Sequence, residues 1–96
     1  MSEEEFEITS NAEYEMRKVH ELYLRALSDP VRRKILKLLE LGDCTIEELV
    51  SKTQLDISSL REHLNLLESG LCIEKLKAEE ATRYKLTKYG KVVEYL

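Results

Sequence analysis

The stretch 56-DISSLREHLNLLESGL-71 decides how the rest of the chain is read. Asp56 stands where a helix cap is expected, residues 57–69 follow a helical period, and Gly70 offers a stop. Turning each residue by about 100° puts Ile57, Leu60, Leu64 and Leu67 on one side. Ser58, Glu62, Asn65 and Ser69 face directly away, with Ser59 and Arg61 on the flanks. One side is made for a core and the other is short and polar, so this helix presents a face to something outside. His63 falls at the edge of the apolar side. It reads as a partly buried structural histidine, because no second ligand stands at helical spacing from it.

Working upstream, 54-QLD-56 is a tight connection to a shorter helix at 46–52. Thr45 and Glu48 have the spacing of a capping box for it. Two helices joined by so short a turn form a helix-turn-helix unit. Before it, 28-SDP-30 stops one helix and starts the next, with Ser28 or Asp29 as cap and Pro30 at the first position. The helix at 30–41 is expected to bury Val31, Ile35, Leu38 and Leu39 and to end at Gly42, leaving Arg32, Arg33 and Lys34 on a solvated face. The helix at 12–27 carries one stripe: Met16, Val19, Tyr23, Ala26 and Leu27. Residues 1–11 read as a flexible acidic arm.

Downstream of Gly70 the period changes from helical to alternating. Cys72, Glu74 and Leu76 oppose Ile73, Lys75 and Lys77, the chain turns at 78–81, and it returns through Tyr84 and Leu86. That is a hairpin at 71–87 with a polar tip. A last short helix at 88–96 carries Tyr89, Val92, Val93 and Leu96. The fold expected is mainly α with a small β-hairpin, a winged helix-turn-helix occupying 12–96 as one domain.

Composition limits the function. Ninety-six residues suffice for one modest core. The net charge of −4 is uneven: residues 1–15 hold six acids and no base, and the remainder holds 13 acids against 15 bases. The body is thus slightly basic, and acidity does not argue against a nucleic-acid partner. No apolar run reaches the ~18 residues of a membrane helix, and 1-MSEEEFE-7 lacks the regions of a signal peptide, so a cytoplasmic protein is expected. Cys44 and Cys72 stand far apart and read as reduced, half-buried residues rather than a disulfide. There is no phosphate-binding glycine loop, nucleophile elbow or carboxylate–histidine pairing, so an enzyme is not expected.

Three stretches together carry a family resemblance: 26-ALSDPVRRKIL-36, the pattern formed by His63, Leu64, Leu67, Glu68, Gly70 and Leu71, and 83-RYKLT-87. Over roughly residues 20–90 the chain resembles the ArsR-type winged-helix transcriptional regulators. The resemblance implies a homodimer paired through its first and last helices, with the 57–69 helix in the major groove and the hairpin along the backbone. On that reading Met16, Val19, Tyr23, Ala26, Tyr89, Val92, Val93 and Leu96 form the dimer interface. Double-stranded DNA is the expected partner.

The candidate DNA contacts are Lys52, Ser58, Ser59, Arg61, Glu62 and Asn65 on the helices and Lys75, Lys77, Arg83 and Lys85 on the hairpin. Arg61 can reach guanine or a phosphate. Glu62 is useful only if it accepts from a cytosine amine or orients Arg61. Glu79 and Glu80 at the hairpin tip oppose the counterion release that drives binding. Many relatives sense metals through a Cys-x-Cys pair on the third helix or through His and acids on the last. Here Ile46 stands where the second thiolate would be, and Glu94 is the sole acid of the last helix, so neither metal nor cofactor is expected. The competing reading is a winged-helix protein-interaction module without DNA binding, which Glu62, Glu79, Glu80 and the acidic arm favour.

Overall fold

The computed structural model describes the backbone of residues 3–96 and the side chains from Tyr14 onward. The elements run α1 (Glu3–Leu27), α2 (Pro30–Glu40), β1 (Cys44–Thr45), α3 (Ile46–Thr53), α4 (Ile57–Ser69), β2 (Ile73–Lys77), β3 (Thr82–Leu86) and a 3-10 helix at Gly90–Tyr95. This is a winged helix-turn-helix, mainly helical with a small antiparallel sheet in the order β1-β3-β2. Two boundaries differ from the sequence reading. The first helix starts at Glu3 rather than at residue 12, since neither Gly nor Pro interrupts it and glutamates suit a helix N-terminus. The side chains of the acidic arm lie outside the described residues. The last helix is a single 3-10 segment from Gly90 instead of a helix over 88–96.

The sheet has a strand that periodicity did not reveal. Cys44 and Thr45 are too short a run to alternate visibly, yet they pair with Tyr84 and Arg83 and make β3 the central strand. Thr45 then caps α3 with the full box. The Glu48 backbone N–H donates to the Thr45 hydroxyl at 3.2 Å, and the Thr45 N–H donates back to the Glu48 carboxylate at 3.3 Å. Asp29, not Ser28, caps α2, accepting from the Arg32 N–H at 3.0 Å.

The core is built from Ala26 and Leu27 of α1, Ile35, Leu36 and Leu39 of α2, Leu49, the Leu60–Leu64–Leu67 stripe of α4, and Cys72, Ile73, Tyr84, Leu86 and Val93. The buried face of α2 is turned from the one expected: Leu36 is buried, while Val31 and Leu38 are only half so. The turn follows from Arg32, which is 8% exposed and sits inside the protein. Its Nε donates to the Ala26 carbonyl at 3.0 Å and its Nη2 to the Arg25 carbonyl at 2.8 Å, and Arg33 Nε reaches the Leu27 carbonyl at 2.7 Å. These are the carbonyls that the end of α1 leaves without helical partners, and cations there also meet the negative end of the helix dipole. The expected solvated face is therefore a polar joint between α1 and α2.

Gly70 also has a different role from the one the sequence suggests. Its backbone stays at φ −84°, and Leu71 takes the left-handed position at φ 63°. Cys72 N–H donates to the Leu67 carbonyl at 2.9 Å and Leu71 N–H to the Glu68 carbonyl at 3.0 Å, which closes the helix in a Schellman pattern. Glycine is needed because α1 crosses here: a Cβ would stand 2.9 Å from both the Ala26 Cβ and the Leu22 carbonyl oxygen.

Candidate nucleic-acid interface

The turn between α3 and α4 is tight because Gln54 adopts φ 63° and ends α3 abruptly, with its N–H on the Val50 carbonyl. Helix α4 then packs Leu60, Leu64 and Leu67 inward, and Ser58, Arg61, Glu62 and Asn65 are exposed as projected. Ser59 is half-buried. Ile57, placed with the apolar side, is instead 49% exposed, because it lies in the first turn ahead of the packed stretch. Asp56 makes no side-chain hydrogen bond into the helix. The first-turn N–H groups of α4 thus keep their free hydrogens and the positive end of its dipole at the exposed tip, a setting that suits phosphate oxygens.

The hairpin register sorts the four cations onto two faces. Lys75 lies opposite Tyr84 and Lys77 opposite Thr82, whereas Lys85 opposes Glu74 and Arg83 opposes Leu76. Residues directly opposite share a face of the sheet. Lys75 and Lys77 therefore belong to the Tyr84 face, and the Lys75 ammonium rests 5.8 Å from the Tyr84 ring centroid. On this face a groove runs between the helices and the wing, lined by Ile46, Glu47, Arg61, Lys75, Lys77, Glu80, Ala81, Thr82 and Tyr84. Arg61 and the two strand lysines meet there, three cations against the carboxylates of Glu47 and Glu80.

Arg83 and Lys85 look the other way. Arg83 Nη2 donates to the Asp43 carbonyl at 3.0 Å and stands 3.6 Å from the Glu48 carboxylate, so it ties β3 to the start of α3. It is the sole ion pair within 4.0 Å among the described residues, which means that Glu62 does not hold Arg61 in the free protein. Lys52 also stays outside the groove, its ammonium 3.7 Å from the Cys44 thiol. Of the ten candidate contacts, then, Arg61, Lys75 and Lys77 converge, and Ser58, Glu62 and Asn65 share the adjoining exposed face of α4. Tyr84 as a platform for Lys75, and Glu47 as an acid in the groove, were not anticipated. Strand alternation marks Tyr84 as inward, but only the register places Lys75 beside it.

The cysteines do not supply a thiolate site. Cys44 is buried, with the Gly42 carbonyl at 3.6 Å and the Lys52 ammonium as its polar neighbours, and Ile46 follows two residues on. Burial pushes the Cys72 thiol up to about 11. Among the described residues no three His, Cys, Asp or Glu side chains gather around a point that could hold a metal ion. No helix among them is long and apolar enough to cross a membrane.

The expected dimer residues divide into two groups. Ala26 and Val93 are fully buried in the chain's own core and have nothing left to offer a partner. Met16 is 70% and Val19 37% exposed, and Tyr89 and Leu96 are half exposed. Tyr23 and Val92 are half-buried. Met16, Val19, Tyr23 and Tyr89 line one apolar groove with Gly70 and Leu71, and the Tyr23 hydroxyl donates to the Tyr89 carbonyl at 3.2 Å. Burial, and to a smaller extent Cys72, pushes the Tyr23 hydroxyl above its ordinary value.

Residues 29–71 match the family model described as "Bacterial regulatory protein, arsR family". The transcriptional repressor SdpR of Bacillus subtilis is 36% identical over 62 residues, covering 65% of this chain and 69% of the repressor. Among solved structures, HlyU from Vibrio cholerae is 25% identical, with a TM-score of 0.71 over 82% of this chain and 88% of that one. A homodimeric winged helix-turn-helix DNA-binding domain from Mycobacterium bovis, described as a possible ArsR-family transcriptional regulator, has a TM-score of 0.77. It is 19% identical, over 85% of this chain and 78% of that one, and adds likeness of fold.

Proposed function

The chain belongs to the ArsR family of bacterial regulatory proteins, and from that premise we propose that it is a metal-independent homodimer reading a pseudo-palindromic DNA site. Helix α4 enters the major groove and the β2–β3 wing follows the phosphate backbone. The observation that carries this reading is the convergence of Arg61 with Lys75 and Lys77 along one groove beside the exposed tip of α4. Ser58, Arg61 and Glu62 are the base-reading side chains, and Lys75 and Lys77 contact phosphates. Repression is the output carried over from the Bacillus subtilis relative.

The metal independence rests on the side chains present: Cys44 has a lysine and a carbonyl about it and no second thiol. A second reading, docking of a protein partner on the same groove, draws on Glu47 and Glu80 within it. Glu47 and Glu80 remain a cost to DNA binding in the first reading, since each repels phosphate.

One titration decides between the two. A duplex selected from random sequence by the wild-type protein should bind with an affinity that falls steeply with salt. Arg61→Ala should weaken it by roughly 5- to 150-fold, as expected for loss of a base or phosphate contact of about 1–3 kcal/mol. Glu62→Gln should raise affinity for unrelated DNA and relax preference at one base pair. No binding to any duplex at low salt would leave the protein-docking reading standing.

A further inference from the structure

His63 connects the reading helix to the junction of α1 and α2. Its Nδ1 lies 3.2 Å from Arg32 Nη1, on the same guanidinium that donates to the Arg25 and Ala26 carbonyls. A guanidinium only donates, so Nδ1 accepts and the imidazole proton sits on Nε2. One buried side chain of α2 thus joins the C-terminal end of α1 to the middle of α4. The other contacts holding α4, through Leu60, Leu64 and Leu67, are apolar and fully buried. Apolar packing is without direction, whereas a planar guanidinium fixes its partners in a fork. His63 adjoins Glu62 and lies two residues from Arg61, so the rotation of the imidazole and that of the reading residues are one quantity.

We propose that Arg32 and His63 are positioning residues for base reading: the guanidinium holds α4 at the rotation in which Arg61 and Glu62 meet the bases. This rests on the DNA-reading function above. Arg32 is buried and His63 is half-buried against the core, so their effect is on discrimination rather than on charge.

The test compares His63→Leu with His63→Asn. Leucine favours a helix and fills the space but offers no acceptor, and the asparagine carbonyl oxygen replaces Nδ1. Anisotropy titrations use two probes at one salt concentration: the duplex selected by the wild-type protein and a shuffled duplex of the same composition. His63→Leu should lower the ratio of the two affinities at least tenfold, almost wholly through the selected duplex, with the shuffled duplex within twofold. His63→Asn should stay within threefold of the wild type. Circular dichroism establishes that both variants are folded. A folded His63→Leu that discriminates as well as the wild type overturns the proposal and leaves the DNA reading intact. Equal loss in His63→Asn overturns it too, since the acceptor would then be irrelevant. A wild type blind to both duplexes overturns the DNA reading and this proposal with it.

Discussion

Glu48 concentrates several roles in one side chain. The Thr45 backbone N–H and then its hydroxyl hold the carboxyl below its ordinary value, with smaller help from Arg83 and Lys52. A carboxyl depressed in the folded state contributes stability that is fully present above its unfolded value and is lost as pH falls through the folded one. The acid limb of stability should therefore steepen below about pH 4.3, the usual glutamate value. Glu48→Gln keeps an acceptor for the box and removes the titration. Its melting temperature should fall less between about pH 5 and pH 3 than that of the wild type, by thermal melts in matched buffers. Parallel curves would show that the Thr45 bonds do not distinguish the charged carboxylate. Glu62 works differently, since nothing in the free protein engages it as an ion pair. Its placement on the exposed face beside Arg61 keeps it available for the base-reading role proposed above.

The wing is where pattern and geometry part. Four basic residues over 75–85 look equivalent as a string, yet the register with Tyr84 and Thr82 turns Lys75 and Lys77 toward α4 and sends Arg83 to Glu48 and Asp43. Removing Lys75 and Lys77 together should flatten the plot of log affinity against log salt by about 2, as loss of two phosphate contacts requires. Lys85→Ala, on the other face, should leave the slope almost unchanged, and Arg83→Ala should chiefly lower the melting temperature. Slope changes near ~1 for both Lys85→Ala and Arg83→Ala would mean that both faces of the hairpin lie on the backbone. At the other end of α4, Gly70 illustrates the same division. A glycine after an apolar helix reads as a stop, but its necessity here comes from the crossing of α1.

At the scale of the whole molecule, α1 and the C-terminal segment keep apolar surface that the chain's own core does not cover. Met16, Val19 and Tyr89 remain exposed around an apolar groove that this chain leaves open, whereas Ala26 and Val93 have been spent on the chain's own core. A second copy, brought in by twofold symmetry, would cover both grooves at once. Val19→Glu places an unpaired carboxylate in that interface, at a cost on the order of several kcal/mol if it is buried. The variant should sediment as a monomer where the wild type sediments as a dimer, with unchanged helicity by circular dichroism. Its affinity for a two-half-site duplex should fall toward that for one half-site. A Val19→Glu dimer would place the interface elsewhere.

The order of elements, the short β1 apart, was legible in the sequence because local signals agree with one another. Pro30 and Asp29, the Thr45–Glu48 box, the Leu60–Leu64–Leu67 stripe and the change of period after Gly70 all depend on neighbours a few residues away. The outward face of α4 was legible for the same reason. Tertiary structure alone decided which cations converge, because strand register joins Lys75 to Tyr84 and Lys77 to Thr82 across the hairpin. It alone buried Arg32, whose partners on α1 and α4 lie 6, 7 and 31 residues away. In sequence Arg32 is one of three adjacent cations, and a string of like charges carries no sign of which one will find carbonyls to satisfy it inside the protein.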